Sequence, residues 1–257
     1  FLLDTTGTAQ VWTVDSPGGW PTQRTFYDET VSFVSFSPER EELAFGMDEG
    51  GNERMQLYRL GMDGEILELT AQPAAKHRWG GWSHDGEQFA FASNRRDESV
   101  FDVYVQDRDS REAELVFEGD GWYSVGPWSP DDDALVFHQA HSSFDHDLSV
   151  FDLDSGERRH LTPDTDDVRY RSAQWGPAGE WLYLVTDEGA DTLYLARMHA
   201  ETGALETVRE GGEWNVGGVA LDESGLLVYS RNVDGYTDLT VADLEDDGTL
   251  ADLPTPD

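Results

Sequence analysis

The sequence predicts an all-β fold, a β-propeller of four-stranded antiparallel blades, and two periodic signals carry the prediction. Aromatic-plus-turn signatures stand at Phe36-Ser37-Pro38, Trp82-Ser83-His84, Trp128-Ser129-Pro130 and Trp175-Gly176-Pro177, at intervals of 46, 46 and 47 residues. A weaker copy follows at Ala220-Leu221-Asp222. Alternating apolar segments begin at Val11, Leu57, Val103, Leu148, Leu193 and Leu239, at steps of 46, 46, 45, 45 and 46. Two independent markers that keep one period indicate a repeated unit, and units of about 40–50 residues made of short strands are the propeller signature. No segment of 11 or more residues carries a 3.6-residue apolar period, so strands alone build the core.

Within each unit four strands, a to d, follow in order. In the third, RWGGWS is strand a, QFAFAS strand b, FDVYVQD strand c and AELVF strand d. The a–b connections (SHDG, SPDD, GPAG, DESG) place Pro or His where φ is near −65°, then Asp, then often Gly for a left-handed position. The c–d connections (MDGE, DSGE, ETGA) put Asp, Ser or Thr before Gly, as a tight hairpin requires. Five full repeats of about 46 residues follow a partial first blade. The blades are expected at about 1–28 (partial), 29–72, 73–118, 119–163, 164–210 and 211–257 of one propeller domain. In the first, Phe1–Asp4 fits the end of a strand b, while VWTVD and QRTFYD supply strands c and d. Strand a is missing there, and LADLPTPD at the other end reads as the last blade's own strand d. An open sheet edge of this kind is one that native proteins avoid. A longer natural polypeptide, extending before Phe1 and past Asp257, is the expectation.

Composition excludes several function classes. The 257 residues hold 53 Asp and Glu against 17 Lys and Arg, a formal charge of −36, with no Cys and 38% hydrophobic residues. The absence of Cys excludes disulfides, thiolate metal sites and a Cys nucleophile. No run of about 18 apolar residues is present to span a membrane, and so large a negative charge repels nucleic acid. Lys76 is the only lysine. Acidic, nearly lysine-free chains resemble the proteins of salt-in halophiles, which implies a cytoplasmic location. At about 1 M salt the Debye length is roughly 3 Å, so such charge solvates the chain without steering a partner. An acidic surface made to bind a basic protein is the competing reading.

The repeated W-S-P-D-G, L-A-F, D-L-Y-V-x-D-L-D-T-G-E and L-T pattern appears as WSHDGEQFAFASNRRDESVFDVYVQD at 82–107 and as WSPDDDALVF…DLSVFDLDSGERRHLT at 128–162. It resembles the propellers of the prolyl oligopeptidase family, including its dipeptidyl peptidase and acylaminoacyl peptidase branches, over nearly the whole chain. FLLDTTGTAQVW, FGMDEGGNERMQLYRL, KHRWGGWSHDG and ASNRRDESVFDVYVQ are similar to haloarchaeal peptidases of that family. The Tol-system periplasmic propeller shares the generic blade pattern. The family resemblance implies a propeller that precedes a catalytic α/β-hydrolase domain and restricts which peptides reach a Ser-His-Asp triad. That domain is expected downstream. This chain has no G-x-S-x-G nucleophile elbow; Gly121-Trp122-Tyr123-Ser124-Val125-Gly126 has one residue too many and lies between strands. No catalytic residue is therefore expected within it, and no cofactor. Dipeptidyl peptidases hold a substrate amine with a paired Glu motif. The Glu-Glu pair here, Glu41-Glu42, falls in an a–b turn on the opposite face, so that role does not carry over.

In a propeller the d–a and b–c connections share one face and strand a lines the channel. Arg54, Lys76, His77, Arg78, Arg95, Arg96, Arg169, Arg171 and Arg231 fall in or beside those segments, with Asp97 in the Arg95-Arg96-Asp97 run. Fixed cations there would bind a peptide C-terminus or dock a second domain through Arg–carboxylate pairs; the plain alternative is that they bridge neighbouring carboxylates. Trp79, Trp122, Tyr123, Tyr170 and Trp214 are placed to line the channel mouth, whereas Trp82, Trp128 and Trp175 are expected to pack between sheets. His138, His141 and His146 share a b–c loop with Asp145 and Asp147. Imidazole and carboxylate suit Zn²⁺, but H-x-x-H off a helix does not bring two rings to one face, so a polar loop is expected there. The Asp131–Asp133 and Asp164–Asp167 runs match no Ca²⁺ loop and read as solvated turns.

Three function classes remain: a peptide-gating propeller for an attached hydrolase, a free-standing Tol-type interaction or ligand-binding propeller, and a propeller enzyme using the histidine loop. The charge also makes the fold depend on salt, since carboxylate repulsion is unscreened below about 0.5 M. A melting temperature higher in about 3 M KCl than in about 0.1 M, followed by far-UV circular dichroism, is expected; equal values would contradict the halophile reading.

Overall fold

The first three strands, β1 (Leu2–Leu3), β2 (Gln10–Thr13) and β3 (Thr22–Gln23), form an antiparallel sheet of their own. Five four-stranded antiparallel sheets follow in the computed structural model, which describes residues 1–163 and 167–254. The second is β4 (Val31–Phe36), β5 (Glu42–Met47), β6 (Gln56–Gly61) and β7 (Ile66–Glu68). The third is β8 (His77–Trp82), β9 (Gln88–Ser93), β10 (Asp102–Asp107) and β11 (Ala113–Phe117), and the fourth β12 (Trp122–Trp128), β13 (Ala134–Ala140), β14 (His146–Asp152) and β15 (Arg158–His160). The fifth is β16 (Tyr170–Trp175), β17 (Trp181–Thr186), β18 (Tyr194–His199) and β19 (Leu205–Arg209). The sixth is β20 (Val216–Leu221), β21 (Leu226–Val233), β22 (Tyr236–Leu244) and β23 (Leu250–Asp252).

This is a propeller of six blades, which corrects the expected count of five and a fragment. The first segment is a blade in its own right because its strands satisfy one another. Leu2 and Leu3 pair with Val11 and Gln10, and Trp12 and Thr13 pair with Gln23 and Thr22. Among the described residues no further strand pairs with β1, so this sheet has three strands. Among the described residues no helix is long and apolar enough to cross a membrane. Residues 164–166, within the Asp164–Asp167 run, lie outside the described residues.

Turn chemistry follows the sequence closely. Gly86 takes φ +67° in the β8–β9 turn, and Asp132 takes φ +58° at the matching place between β12 and β13. Asp tolerates this left-handed state because its short side chain bonds locally. In the sixth sheet Asp234 and Gly235, at φ 51° and 86°, make a two-residue hairpin, the geometry that suits strand twist. β21 and β22 therefore pair without a long loop.

The chain divides into two compact units, Phe1–Val125 and Gly126–Asp257, with the boundary inside β12. In the first unit one core joins Val11 of the first sheet to Val31, Leu43, Phe45 and Leu60 of the second. Another joins Ala44 and Leu57 to Trp82, Phe89, Phe91 and Tyr104 of the third. In the second unit Val136 and Leu148 pack with Leu182, Leu184 and Met198, while Val185 and Leu195 pack with Val216, Leu227 and Tyr229. Each core is a seam between consecutive sheets. The repeated aromatic at the end of strand a closes these seams as expected: Trp82 Nε1 donates to the Ser35 carbonyl at 3.3 Å and Trp175 Nε1 to that of Pro127 at 3.2 Å.

Buried polar side chains fasten the first three d–a crossovers. Gln10 donates to the carbonyls of Tyr27 and Glu29 and accepts the Tyr27 N–H. Gln56 bonds Gln72 and Ala75 in the same way. At the corresponding place in the third sheet Asp102, fully buried, accepts the Gly119 N–H at 2.9 Å. Thr25, Thr70 and Thr162 accept the backbone N–H groups of Val11, Leu57 and Leu148.

Close approach explains Gly80 in β8. A Cβ there would collide with Val125 Cγ1 and stand 2.9 Å from the Ala90 carbonyl oxygen. Gly80→Ala is expected to destabilise the fold by about 1–3 kcal/mol, measured as a lower urea midpoint at unchanged m-value.

Candidate functional site

The corner where β8 begins and the β9–β10 loop folds back gathers five of the expected site residues. Asp102 organises it. As a fully buried carboxylate it needs a cation, and Arg96 supplies one through Nε at 2.9 Å and Nη2 at 2.7 Å. Arg96 Nη2 also reaches the Gly119 carbonyl at 3.0 Å, so one guanidinium ties the b–c loop to the d–a crossover. Asp97 caps the same loop by accepting the N–H and hydroxyl of Ser99.

Arg95 is positioned by the same loop. Its guanidinium lies over Phe91 and Tyr104, 5.0 and 4.6 Å from the ring centroids. Nη2 is 3.1 Å from His77 Nε2, and buried Nε has no hydrogen-bond partner among the described residues. The carbonyl of Met55 accepts from His77 Nδ1 at 2.9 Å, which leaves Nε2 as the acceptor for Arg95. Burial pushes the His77 imidazole down to about 4; the Met55 bond opposes this and Arg95 adds to it. His77 is thus a neutral connector.

Arg78, next along β8, turns to the other face of the sheet. Its guanidinium lies 4.3 Å from the Phe101 centroid and 5.1 Å from that of half-exposed Trp122. Neither Arg78 nor Arg95 forms an ion pair among the described residues, and burial lowers the pKa of both. Two stacked guanidinium groups without carboxylates, in a chain with 53 of them, are free to accept an anion or a carbonyl oxygen. Phe101 and Tyr104 were missed by the sequence reading, although aromatics flanking a buried Asp at the head of strand c were a usable signal.

The other expected residues have other partners. Lys76 pairs with Glu53 at 3.1 Å, and Trp79 stacks on Phe33 and Phe89. Tyr123 is buried and donates to Asp120, while Trp214 is half-buried. Arg54 and four carboxylates, Glu29, Asp48, Glu49 and Glu68, line a cavity of about 260 Å³. Of the Glu pair, Glu42 is buried and held by Arg108. In the second unit Arg169 binds Asp187, the Tyr170 hydroxyl donates to Glu188 at 2.6 Å, and Arg231 pairs with Asp238. Arg171 is exposed and makes no ion pair among the described residues. His138 and His146 meet edge to face at 4.6 Å, and burial lowers both. Asp147 instead faces His141 at 2.8 Å and His160 at 3.6 Å; His160 arrives from β15 and was not foreseen. Among the described residues no cluster is arranged to hold a metal ion.

Comparison with known proteins adds the context. The family model for the prolyl oligopeptidase N-terminal β-propeller domain matches residues 17–257. Dipeptidyl-peptidase 5 of Porphyromonas gingivalis is 27% identical over 161 residues, 58% of this chain and 23% of that protein. A prolyl endopeptidase structure superposes with a TM-score of 0.74 at 15% identity, covering 97% of this chain and 40% of the other. A putative TolB from Agrobacterium tumefaciens gives 0.69 at 18% identity, covering 91% and 83% respectively. TolB from Acinetobacter baumannii gives 0.67 at 13%, covering 95% and 61%. These structural likenesses are of fold. The chain spans under a quarter of the dipeptidyl-peptidase and 40% of the endopeptidase chain.

The His77 geometry predicts an acid limb in stability. With a folded-state pKa of about 4 against an ordinary 6.5, the unfolded chain takes up a proton that the native imidazole refuses. The contribution is complete above about pH 6.5 and falls by up to about 1.4 kcal/mol per pH unit toward pH 4. Urea unfolding at about pH 7 and pH 5 should show a shallower loss for His77→Gln than for the parent; identical slopes would exclude His77 as a source.

Proposed function

The chain belongs to the family of prolyl oligopeptidase N-terminal β-propeller domains, and from that premise we propose that it is the non-catalytic propeller of a serine peptidase. In this reading it gates and positions peptides for an attached α/β-hydrolase domain. Hydrolysis of the peptide bond then belongs to the parent polypeptide, consistent with the absence of a G-x-S-x-G elbow in this sequence. The observation that carries the positioning role is Arg78: a half-buried guanidinium over the rings of Phe101 and Trp122, with no carboxylate partner among the described residues. The two rings hold the guanidinium by cation–π contact and leave its N–H groups to a peptide carboxylate, which such a fork binds in bidentate fashion. Arg95, on the opposite face of the same sheet corner, offers a second point of contact for a peptide carbonyl or acidic side chain.

A second reading is a free-standing interaction or ligand-binding module of the TolB kind. It is favoured by the 83% of the Agrobacterium TolB chain that this propeller covers. The two readings differ in what accompanies the propeller in the native polypeptide.

The test uses that native polypeptide, detected with an antibody to this chain and labelled with a fluorophosphonate. A labelled band well above the mass of this chain is expected, and in that enzyme Arg78→Gln should lower kcat/KM about tenfold for peptides with a free C-terminal carboxylate, the scale of one charge-assisted hydrogen bond. C-terminally amidated peptides should be unaffected. An unlabelled band of this chain's own mass would leave the TolB-like reading; equal effects on both peptide classes would remove the carboxylate role from Arg78.

A further inference from the structure

Trp122 stands where the repeat otherwise puts a polar residue. Five positions before the residue that ends strand a (Phe36, Trp82, Trp128, Trp175 and Leu221), every four-stranded sheet buries its side chain: Val31, His77, Tyr123, Tyr170 and Val216 are almost fully buried. One position earlier the residues are Thr30, Lys76, Trp122, Arg169 and Asn215. Four of these are polar or charged, as suits a position that reaches solvent. The other is a tryptophan that is 50% exposed. Packing of the seam therefore does not account for it, since Tyr123 already fills the buried place beside it.

The crossover decides where the indole goes. The Phe101 N–H donates to the Gly121 carbonyl at 2.9 Å, and a Cβ on Gly119 would collide with the Phe101 carbonyl oxygen, so glycine lets the two segments touch. The Tyr123 hydroxyl is anchored to Asp120 at 3.0 Å, and by strand alternation Trp122 turns to the opposite side. There its ring meets Phe101 at 5.6 Å between centroids, inclined by 51°, and the guanidinium of Arg78 at 5.1 Å. Buried Phe101 is the nearer ring to Arg78, at 4.3 Å. Trp122 is thus the lesser support of the cation and the one with open surface. It is an apolar wall beside a guanidinium that has no ion pair among the described residues.

We propose that Arg78 and Trp122 together select the C-terminal residue of a peptide substrate, the guanidinium taking its carboxylate and the indole its apolar side chain. This rests on the reading of Arg78 as the carboxylate-binding group and adds to it a substrate class, peptides that end in a residue such as Phe or Leu. The α-carboxylate and the side chain leave the same carbon, so a fork and an apolar wall in mutual contact address both at once. A charged side chain would lose solvation against the ring, and a C-terminal glycine would leave it uncovered. Covering half an indole removes roughly 100 Å² of apolar surface from water, and pocket contacts of that kind discriminate by about tenfold or more.

The test titrates this chain with acetyl-Ala-Ala-Phe and acetyl-Ala-Ala-Gly, each as the free acid and as the C-terminal amide. Affinities are read by calorimetry, and the Trp122 indole N–H is followed by NMR, assigned by its absence in Trp122→Phe. The Phe acid is expected to shift that signal and to bind about tenfold more tightly than the Gly acid. Trp122→Gln, which has the polar character the repeat places there, should lose the preference through weaker binding of the Phe acid, whereas Trp122→Phe should keep most of it. Equal affinity of the two acids, or a preference that survives Trp122→Gln, would overturn the proposal and leave the carboxylate role of Arg78 standing. An indole signal unmoved by millimolar Phe acid would overturn it too. Equal binding of acids and amides would instead remove the carboxylate reading, and the proposal with it.

Discussion

A single loop, the d–a crossover, carries the chain from each sheet to the next, and in the first three sheets a buried polar side chain at the head of strand c holds it. Gln10, Gln56 and Asp102 do this in the first three sheets, bonding the backbone of the loops around Tyr27, Gln72 and Gly119. Each bond adds only about 1 kcal/mol net, but leaving such a buried group unpaired costs about 1–3 kcal/mol. The crossover is therefore confined to one path, and with it the point where the next strand a begins. The seams between sheets, and the aromatics that close them, depend on that placement.

The third sheet departs from this pattern in one respect, and the candidate site follows from it. Where the first two sheets use a neutral Gln, the third uses Asp102. A buried carboxylate without a cation would be strongly unfavourable, so Arg96 is drawn onto it. That pairing folds the b–c loop against the crossover and presents Arg95 to Phe91, Tyr104 and His77. The same crossover delivers Trp122 to the guanidinium of Arg78. Within so acidic a chain, contact with rings is what keeps these two cations from being absorbed by surface carboxylates.

Much of the fold was legible because its signals are local and repeated. The four strands read in RWGGWS, QFAFAS, FDVYVQD and AELVF correspond to β8, β9, β10 and β11, and the three strands of the first sheet were visible as well. The status of that sheet was not: whether three strands stand as a blade depends on Val11 packing against Val31 and Phe45, a contact between segments with no shared local pattern. The site was legible only as a set of cations. Arg78, Arg95, Arg96, Arg169 and Arg231 looked alike in sequence, yet three of them meet carboxylates, while Arg78 and Arg95 meet aromatic rings with no ion pair among the described residues.

What the sequence by itself determined is the repeat, the strand order, the turn chemistry and the acidic surface, because each rests on residues a few positions apart or on composition alone. Only the tertiary structure decided which charges are neutralised and which imidazole is buried neutral. Those outcomes depend on distances between residues far apart in the chain, such as Arg78 and Trp122 or Met55 and His77, and on burial that no local pattern encodes.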